Sequence, residues 1–400
     1  MKYSKRLTSM QSSPIRRLAP YATAAKKRGT KVYHLNIGQP DIKTPQGFFD
    51  AVKEFKSEVL EYASSEGIPE LIEALQNYYK TYNIDFDKDE ILVTNGGSEA
   101  LMFTMMAVCD PGDNILVPEP FYTNYNGFGQ AVNVEMNPVT TTAENGFHLP
   151  PKEEIVSKLN DKTRAILISN PGNPTGAIYT TDELHMLADI AKENNLWLIA
   201  DEVYREFVYD GLEYTSCGNL KDIEDRVIII DSVSKRYSAC GARIGSVASK
   251  NKGLIAEILK LCQGRLCVPT LDQVGAVALY KTPASYFKEV NEEYRKRRDV
   301  LYNELIKVDG VICEKPTGAF YIVAKLPVDN AEDFAIWMLN DFCKNDSTVM
   351  FTPAEGFYAT PGLGRNEIRL AYILNQTDLQ NAATLLKEGL EQYVALKAKA

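Results

Sequence analysis

The sequence has few histidines and no closely spaced pair of cysteines. Its 400 residues include three histidines, His34, His148 and His185, which lie far apart in the chain. The seven cysteines are scattered, and no Cys-x-x-Cys pair occurs. These patterns speak against a zinc site or other metal site and against a Ser-His-Asp triad. With an odd count and no framework spacing, the cysteines are expected to be buried, reduced thiols of a cytosolic protein.

The sequence also lacks a basic excess and a long apolar run. The formal net charge is −9 and no dense run of Lys and Arg occurs, so we expect no nucleic-acid partner. No apolar run is long enough to span a membrane. Residues 1–17 are polar and basic without an apolar segment, which argues against a secretory signal. Transit peptides share this basic character, but Pro14 interrupts any amphipathic helix there, and we expect a cytoplasmic protein.

Strand-like and helix-like segments alternate between residues 90 and 250. A capping box from Thr180 to Glu183 opens one such helix. This alternation predicts an α/β fold with an open, doubly wound, mostly parallel sheet. Length and apolar content suggest a second, smaller α+β domain. The apolar runs that predict the strands of the sheet begin at Ile91, Ile115, Arg164, Leu196, Val227 and Ile244.

Polar or conformationally special residues directly follow five of these predicted strands. In open α/β sheets, ligands bind beyond the carboxyl ends of the strands. Each residue alone has a plain structural explanation, but five on one edge predict a ligand site. The residues are Gly96-Gly97, Tyr122, Asn173, Asp201 and Lys235.

The segment around Lys235 indicates which ligand this edge would take. Ser232-x-Ser234-Lys235 follows a buried strand, and Arg243 lies eight residues further on. A lysine amine can form a Schiff base with an aldehyde, while hydroxyls and a guanidinium can hold a phosphate. Pyridoxal 5′-phosphate (PLP) carries both groups. Taken alone, the segment would be better explained as a solvated loop lysine, and the rest of the chain decides for the ligand.

The chain resembles the class I/II aminotransferases, which are fold-type I PLP enzymes, over about residues 30 to 390. The resemblance rests on Asn173-Pro-Thr-Gly176, on Asp201-Glu-Val-Tyr204, and on Ser232-x-Ser-Lys235 with Arg243. We place an N-terminal arm and part of the small domain in residues 1–45. The large PLP-binding domain would be residues 46–285 and the C-terminal small domain residues 286–400.

The resemblance implies a role for each residue near the cofactor. Lys235 would form the Schiff base and, once freed, act as general base. Asp201 would pair with the pyridine nitrogen, Asn173 and Tyr204 would bind the ring's 3-oxygen, and Tyr122 would stack on the ring. The phosphate would be held by Gly97, Ser98, Ser232, Ser234, Arg243 and, from a neighbouring subunit, Tyr62.

The resemblance also implies substrate contacts and a homodimer with shared active sites. Arg369 would bind the α-carboxylate of the substrate, with Gly38 and Asn173 close by. Arg265 lies between Gly264 and Pro269, in what we interpret as an interruption between helices. From there it would reach a distal carboxylate across the interface.

The predicted activity is therefore amino transfer between aspartate or glutamate and 2-oxoglutarate by a ping-pong mechanism. Two departures from the family pattern bear on the subgroup. Tyr122 stands where the best-known dicarboxylate-specific relatives carry Trp, and Ser98 stands where one bacterial subgroup has Lys. Alternatives are an aminotransferase for aromatic, alanine or other neutral amino acids, or a PLP-dependent C–S or β-lyase on the same fold.

Overall fold

The protein is built around a seven-stranded sheet, with two smaller sheets in a second part of the chain. This computed structural model describes residues 1–399. The strands are β1 (Lys31–His34), β2 (Ile91–Asn95), β3 (Asn114–Glu119), β4 (Glu135–Thr140), β5 (Thr163–Ser169), β6 (Trp197–Asp201), β7 (Val227–Ser232), β8 (Ile244–Ala248), β9 (Tyr321–Lys325), β10 (Ser347–Met350), β11 (Thr352–Pro353) and β12 (Glu367–Ala371).

The helices that cover these sheets range from one turn to six turns in length. They are α1 (Lys5–Thr8), α2 (Ala19–Lys27), α3 (Gln46–Glu54), α4 (Pro69–Lys80), α5 (Gly96–Val108), α6 (Asn124–Val132), α7 (Lys152–Ser157), α8 (Thr181–Glu193), α9 (Val233–Arg236), α10 (Lys252–Arg265), α11 (Thr270–Leu279), α12 (Ala284–Leu305), α13 (Ala331–Asn340) and α14 (Gln376–Lys397). None of the helices in residues 1–399 combines the length and the apolar character needed to cross a membrane.

The large sheet has the strand order β2-β8-β7-β6-β5-β3-β4. Its pairs are parallel except where β8 runs against β2 and β7. Alternate residues of the central strands enter different cores: Ile166 and Ile168 of β5 pack with α8, whereas Ala165 and Leu167 pack with α5 and α10. A sheet buried on both faces explains why these strands are continuously apolar. The predicted doubly wound, mostly parallel sheet is confirmed.

The second part of the chain has its own core and two small sheets. Parallel strands β1 and β10 form one sheet, and the antiparallel order β11-β12-β9 forms the other. Helices α2, α12, α13 and α14 bury apolar side chains such as Leu301, Phe334 and Leu386 against them. The predicted smaller α+β unit is confirmed, whereas the boundaries at residues 45 and 285 stay predictions.

The structure corrects two local predictions. The interruption proposed around Arg265 begins one residue later, because α10 continues through Gly264 and ends at Arg265. Gly in a helix interior costs only about 1 kcal/mol, so it does not force a break. Lys235 lies in the single turn α9 rather than in an open loop.

Candidate active site

A cavity of about 440 Å³ lies beyond the carboxyl ends of the large sheet. Side chains and glycines from both parts of the chain line it. It brings together twelve of the fourteen predicted site residues: Gly38, Gly97, Ser98, Tyr122, Asn173, Asp201, Tyr204, Ser232, Ser234, Lys235, Arg243 and Arg369.

Strand register explains why residues so distant in sequence meet at this edge. The parallel pairing of β5 with β6 sets Ser169 beside Asp201, and β6 pairs in turn with β7. Strand β8 runs in the opposite direction, so its first residues lie where its neighbours end, and Ser232 pairs with Gly245. Arg243 precedes β8 directly and therefore reaches the same edge as Lys235.

One corner of the cavity combines a helix N-terminus, hydroxyls and a guanidinium. Helix α5 starts at Gly96, whose φ is +72°, and a Cβ there would lie 2.4 Å from Arg243 Nη2. Ser232 Oγ and Ser234 Oγ share a hydrogen bond of 2.7 Å. Free N–H groups at a helix start, hydroxyls and a cation together form an anion site suited to a phosphate.

The Lys235 amine lies in the middle of the cavity. Its Nζ donates a hydrogen bond to the Gly38 carbonyl oxygen at 3.0 Å and lies 6.0 Å from the centre of the Tyr204 ring. A Cβ at residue 38 would approach the Tyr321 hydroxyl to 1.7 Å, so the backbone can come this close only as glycine. No carboxylate lies within ion-pair distance of this amine in residues 1–399.

Asp201 is a buried carboxylate without a cationic partner in direct contact. Tyr125 donates its hydroxyl to Asp201 Oδ2 at 2.7 Å, and the Val203 N–H lies 3.5 Å from Oδ1. Burial raises the pKa of Asp201 to about 6, although the Tyr125 hydrogen bond lowers it. Such a carboxylate favours a cation beside it, such as a protonated ring nitrogen.

Phenol groups border the cavity between the large sheet and β9. The hydroxyls of Tyr204 and Tyr321 are 2.9 Å apart, and Asn124 donates to the Tyr122 hydroxyl at 2.8 Å. Burial raises the pKa of Tyr204 well above its usual value and that of Tyr122 to about 12. Both phenols therefore stay protonated at neutral pH and can donate hydrogen bonds to a ligand.

Arg369 is a fully buried guanidinium, and no carboxylate of residues 1–399 pairs with it. Its Nη1 donates to Asn173 Oδ1 at 3.2 Å and its Nη2 to the Asn36 carbonyl oxygen at 2.6 Å, while Nε has no partner among the described residues. Burial lowers the pKa of Arg369. An unneutralised buried guanidinium is costly, which marks it as a site for a carboxylate ligand.

These groups match the chemistry of PLP. The anion corner fits a phosphate, the Lys235 amine fits an aldehyde, and the buried Asp201 fits a basic ring nitrogen. The unpartnered Nε of Arg369 then remains for the carboxylate of a second molecule. The residues present therefore fit the cofactor together with an amino acid.

Two predicted site residues lie outside the cavity of this single chain. Tyr62 is 80% exposed. Arg265 is held elsewhere, because its Nε lies 3.3 Å from Glu99 Oε2 and its Nη2 donates to the Val93 carbonyl oxygen at 3.1 Å. Neither reaches the cavity of its own subunit, so their roles rest on a second subunit.

Sequence reasoning missed several residues that shape the site. Tyr125 follows Tyr122 by three positions and lies in the first turn of α6, where its N–H bonds the Tyr122 carbonyl oxygen at 2.9 Å, and this short spacing could have indicated it. Tyr321 and Arg16 carry no local signal, because they reach the cavity from β9 and the N-terminal segment through tertiary packing.

Comparison with known proteins agrees with this arrangement. The family described as "Aminotransferase class I and II" matches residues 30–386. An aspartate aminotransferase of Bacillus subtilis is 30% identical over 98% of this chain and 100% of its own length. A probable aspartate/prephenate aminotransferase of Aquifex aeolicus is 31% identical over 97% and 98%. The structure of an alanine aminotransferase from Pyrococcus furiosus superposes with a TM-score of 0.89 at 32% identity, covering 98% of this chain and 100% of that one.

The chain belongs to the class I and II aminotransferases, which share the fold-type I architecture described above. It is accordingly a PLP-dependent aminotransferase, whose substrates are amino acids and 2-oxo acids.

Proposed function

We propose that this enzyme moves the amino group between L-aspartate or L-glutamate and 2-oxoglutarate or oxaloacetate. The observation that carries the proposal is the convergence of Lys235, Asp201 and Arg369 on one cavity. The name of the B. subtilis relative supports aspartate as the donor. A ping-pong cycle follows, because one cavity with one α-carboxylate site takes donor and acceptor in turn.

Separate groups of residues would bind the two ends of the cofactor. Gly97 and Ser98, through their N–H groups, and Ser232, Ser234 and Arg243 would bind the phosphate. Asp201 would stay ionised against the ring nitrogen, because a cation beside it offsets the burial that raises its pKa. When bound, PLP supplies an aldehyde that captures the substrate amine and a ring that draws electrons from the α-carbon.

Lys235 performs the proton transfer. Its Nζ would be the amine that holds the cofactor through its aldehyde, and a substrate amine would take its place there. The free Nζ accepts the proton that leaves the α-carbon and later gives it up, so one amine is both base and acid. Its hydrogen bond to the Gly38 carbonyl oxygen keeps it within the cavity.

Asn173, Tyr204 and Arg369 orient the reacting molecules. Because Asn173 Oδ1 already accepts from Arg369, its amide N–H groups remain to donate to the ring's 3-oxygen. Tyr204 would donate to the same oxygen, and Tyr122 would stack on the ring. Arg369 binds the substrate's α-carboxylate, which holds the α-carbon near Lys235.

We further propose a homodimer in which Tyr62 completes the phosphate site of the other subunit and Arg265 lies at the same shared edge. Large apolar side chains are exposed in one region near α3 and the start of α11, and Thr270 Oγ1 bonds the Glu61 carbonyl oxygen there at 3.2 Å. An exposed apolar surface of this kind suits subunit contact. The exposed residues are Phe49 (52%), Val59 (62%), Leu60 (59%), Tyr62 (80%) and Leu266 (50%).

Subunit mixing tests the shared site. A Lys235→Ala subunit is combined with a subunit that carries Tyr62→Phe and Arg265→Ala. Each heterodimer should then regain one complete site, and activity should exceed that of either parent. A fully active monomer in sedimentation at assay concentration would contradict the proposal.

A screen of donors and acceptors tests the proposed activity. We expect holoenzyme with aspartate and 2-oxoglutarate to form oxaloacetate and glutamate in equal amounts. Formation of an oxo acid beyond one equivalent per active site, without any acceptor, would identify a lyase instead. A preference for alanine is the second candidate, favoured because Glu99 already neutralises Arg265 and because the P. furiosus structure is an alanine aminotransferase.

A further inference from the structure

Four cationic side chains line the active-site cavity, and three of them have a proposed ligand. Lys235 meets the aldehyde, Arg243 the phosphate and Arg369 the α-carboxylate. The fourth is Arg16, from the segment before α2. Among the residues described here, Asp201 is the one carboxylate in the lining, and it is already assigned to the ring nitrogen. Arg16 thus adds a positive charge that the cofactor and a neutral amino acid would leave unpaired.

We propose that Arg16 binds the distal carboxylate of a dicarboxylic amino or oxo acid within its own subunit. This role rests on the proposed aspartate and glutamate specificity. It makes Arg16, rather than Arg265 of a second subunit, the residue that distinguishes dicarboxylic from neutral substrates.

The guanidinium of Arg16 is available for a ligand. Its side chain makes no hydrogen bond and no ion pair within residues 1–399. The next residue differs, because Arg17 pairs with Glu332 and does not line the cavity. Both arginines are exposed, but a carboxylate neutralises Arg17, whereas Arg16 lines the active-site cavity.

The backbone that carries Arg16 is anchored. Pro14 is buried, and a Cβ added to Gly356 would lie 2.4 Å from Pro14 Cγ. The Ile15 carbonyl oxygen accepts a hydrogen bond from Asn36 Nδ2 at 3.1 Å. A further turn bond joins the Arg16 N–H to the Ser13 carbonyl oxygen at 3.1 Å. The position of Arg16 at the cavity is therefore a property of the fold and not of a loose terminus.

The same anchor connects Arg16 to the α-carboxylate site. Asn36, which holds Ile15, also accepts Arg369 Nη2 on its carbonyl oxygen at 2.6 Å. One buried residue thus links the segment of Arg16 to the guanidinium of Arg369. A substrate with two carboxylates would find one cation for each, and each cation can bind a carboxylate through paired N–H donors.

Arg265 is less suited to this task. Glu99 lies 3.3 Å from its Nε, and the Val93 carbonyl oxygen accepts its Nη2. Binding a distal carboxylate would require it to give up both contacts, whereas Arg16 has none to give up.

Binding of non-reacting acids to holoenzyme tests the proposal separately from turnover. Succinate has two carboxylates and propionate one, and calorimetry gives the dissociation constant of each. Arg16→Ala should weaken succinate binding roughly tenfold, as expected for the loss of a charge-assisted pair at a solvated rim, and leave propionate unchanged. The specificity constant for aspartate should fall by about the same factor and that for alanine should not.

Arg17→Ala is the matched control and should change none of these values. Arg16→Lys should recover part of the succinate affinity, since it keeps the charge without the paired donors. Wild-type affinity for succinate in Arg16→Ala, with a loss in Arg265→Ala, would overturn the assignment to Arg16 and leave the dicarboxylate specificity standing. A wild type that binds succinate no better than propionate would overturn both.

Discussion

Two adjacent carboxylates, Asp201 and Glu202, belong to different electrostatic environments. Asp201 lines the cavity, and its near contacts are the Tyr125 hydroxyl and the Val203 N–H. Glu202 lies on the other side of the backbone and is completely buried. It accepts hydrogen bonds from Ser216, from the Cys217 N–H and from Arg205, whose Nη2 lies 2.6 Å away.

The Glu202 environment extends into a closed ionic network. Arg205 also lies 3.5 Å from Asp231, and Asp231 pairs with Arg236. Burial disfavours the charged form of Arg205, but Glu202 and Asp231 raise its pKa above the usual value. Two carboxylates and two guanidinium groups neutralise one another there, and the Arg236 guanidinium lies over the Tyr78 ring at 4.2 Å.

The same contrast recurs one strand further along. Lys235 faces the cavity, and Arg236, the next residue, belongs to the network. Charges that find their partners within the chain stabilise the fold, whereas charges that lack them mark where a ligand completes the structure. Variants at neighbouring positions should therefore differ in what they change. Loss of a charge without a partner should reduce activity, and loss of a paired charge should reduce stability.

Loss of Lys235 should have the largest effect. Lys235→Ala removes the base that handles the α-proton, and we expect turnover to fall by roughly 10⁴-fold or more. The phosphate corner is separate, so PLP should still bind, which its absorbance will show. In the wild type, borohydride reduction followed by peptide mapping should place the cofactor on Lys235. An adduct on a different lysine would refute this assignment.

Asp201→Ala should have the second-largest effect, and it should lower activity rather than cofactor content. It would remove the charge proposed to keep the ring nitrogen protonated, and we expect kcat to fall by about 10²–10³-fold. Occupancy by PLP, measured after dialysis, should fall far less. Near-normal kcat would mean that the buried carboxylate is purely structural.

At the next residue, Glu202→Gln should lower stability and leave turnover nearly unchanged. It leaves Arg205 partly unneutralised in a dry environment, and the free energy of unfolding should fall by about 3 kcal/mol. Turnover per bound cofactor should stay within a few-fold of wild type. Denaturant unfolding and active-site titration on the same samples separate the two quantities. A loss of kcat as large as that of Asp201→Ala, at unchanged stability, would remove the distinction between the two environments.

Whether a site residue can be predicted from the sequence depends on how it reaches the cavity. Lys235, Asp201 and Asn173 were found from sequence because the ends of parallel strands meet at one edge, so a local pattern fixes a shared location. Arg16 and Tyr321 could not be found in this way, since packing between the two parts of the chain brings them to the cavity. The helical end of α10 at Arg265 was missed because Gly264 and Pro269 were both interpreted as breaks.

Tyr125→Phe should have the smallest effect and should shift a pKa. The Tyr125 hydroxyl stabilises the ionised form of Asp201, and burial raises the pKa of that carboxyl to about 6. Removing the hydrogen bond should raise the pKa by about one further unit, the size of one bond to a charged group. Infrared titration of the carboxyl band in apoprotein measures this shift, with Asp201→Asn as the control that lacks the band.

The same pKa makes a signed prediction for the stability of the apoprotein. The pKa of Asp201 is 3.8 in the unfolded chain and about 6 in the folded protein. Between these pH values the folded state therefore binds more protons than the unfolded state. The contribution of Asp201 to the free energy of unfolding is therefore lost as pH rises through this window. In Tyr125→Phe this loss of stability should extend to about one pH unit higher. In Asp201→Asn the loss of stability should be absent. An unchanged window in Tyr125→Phe would show that the hydroxyl does not set the charge of Asp201.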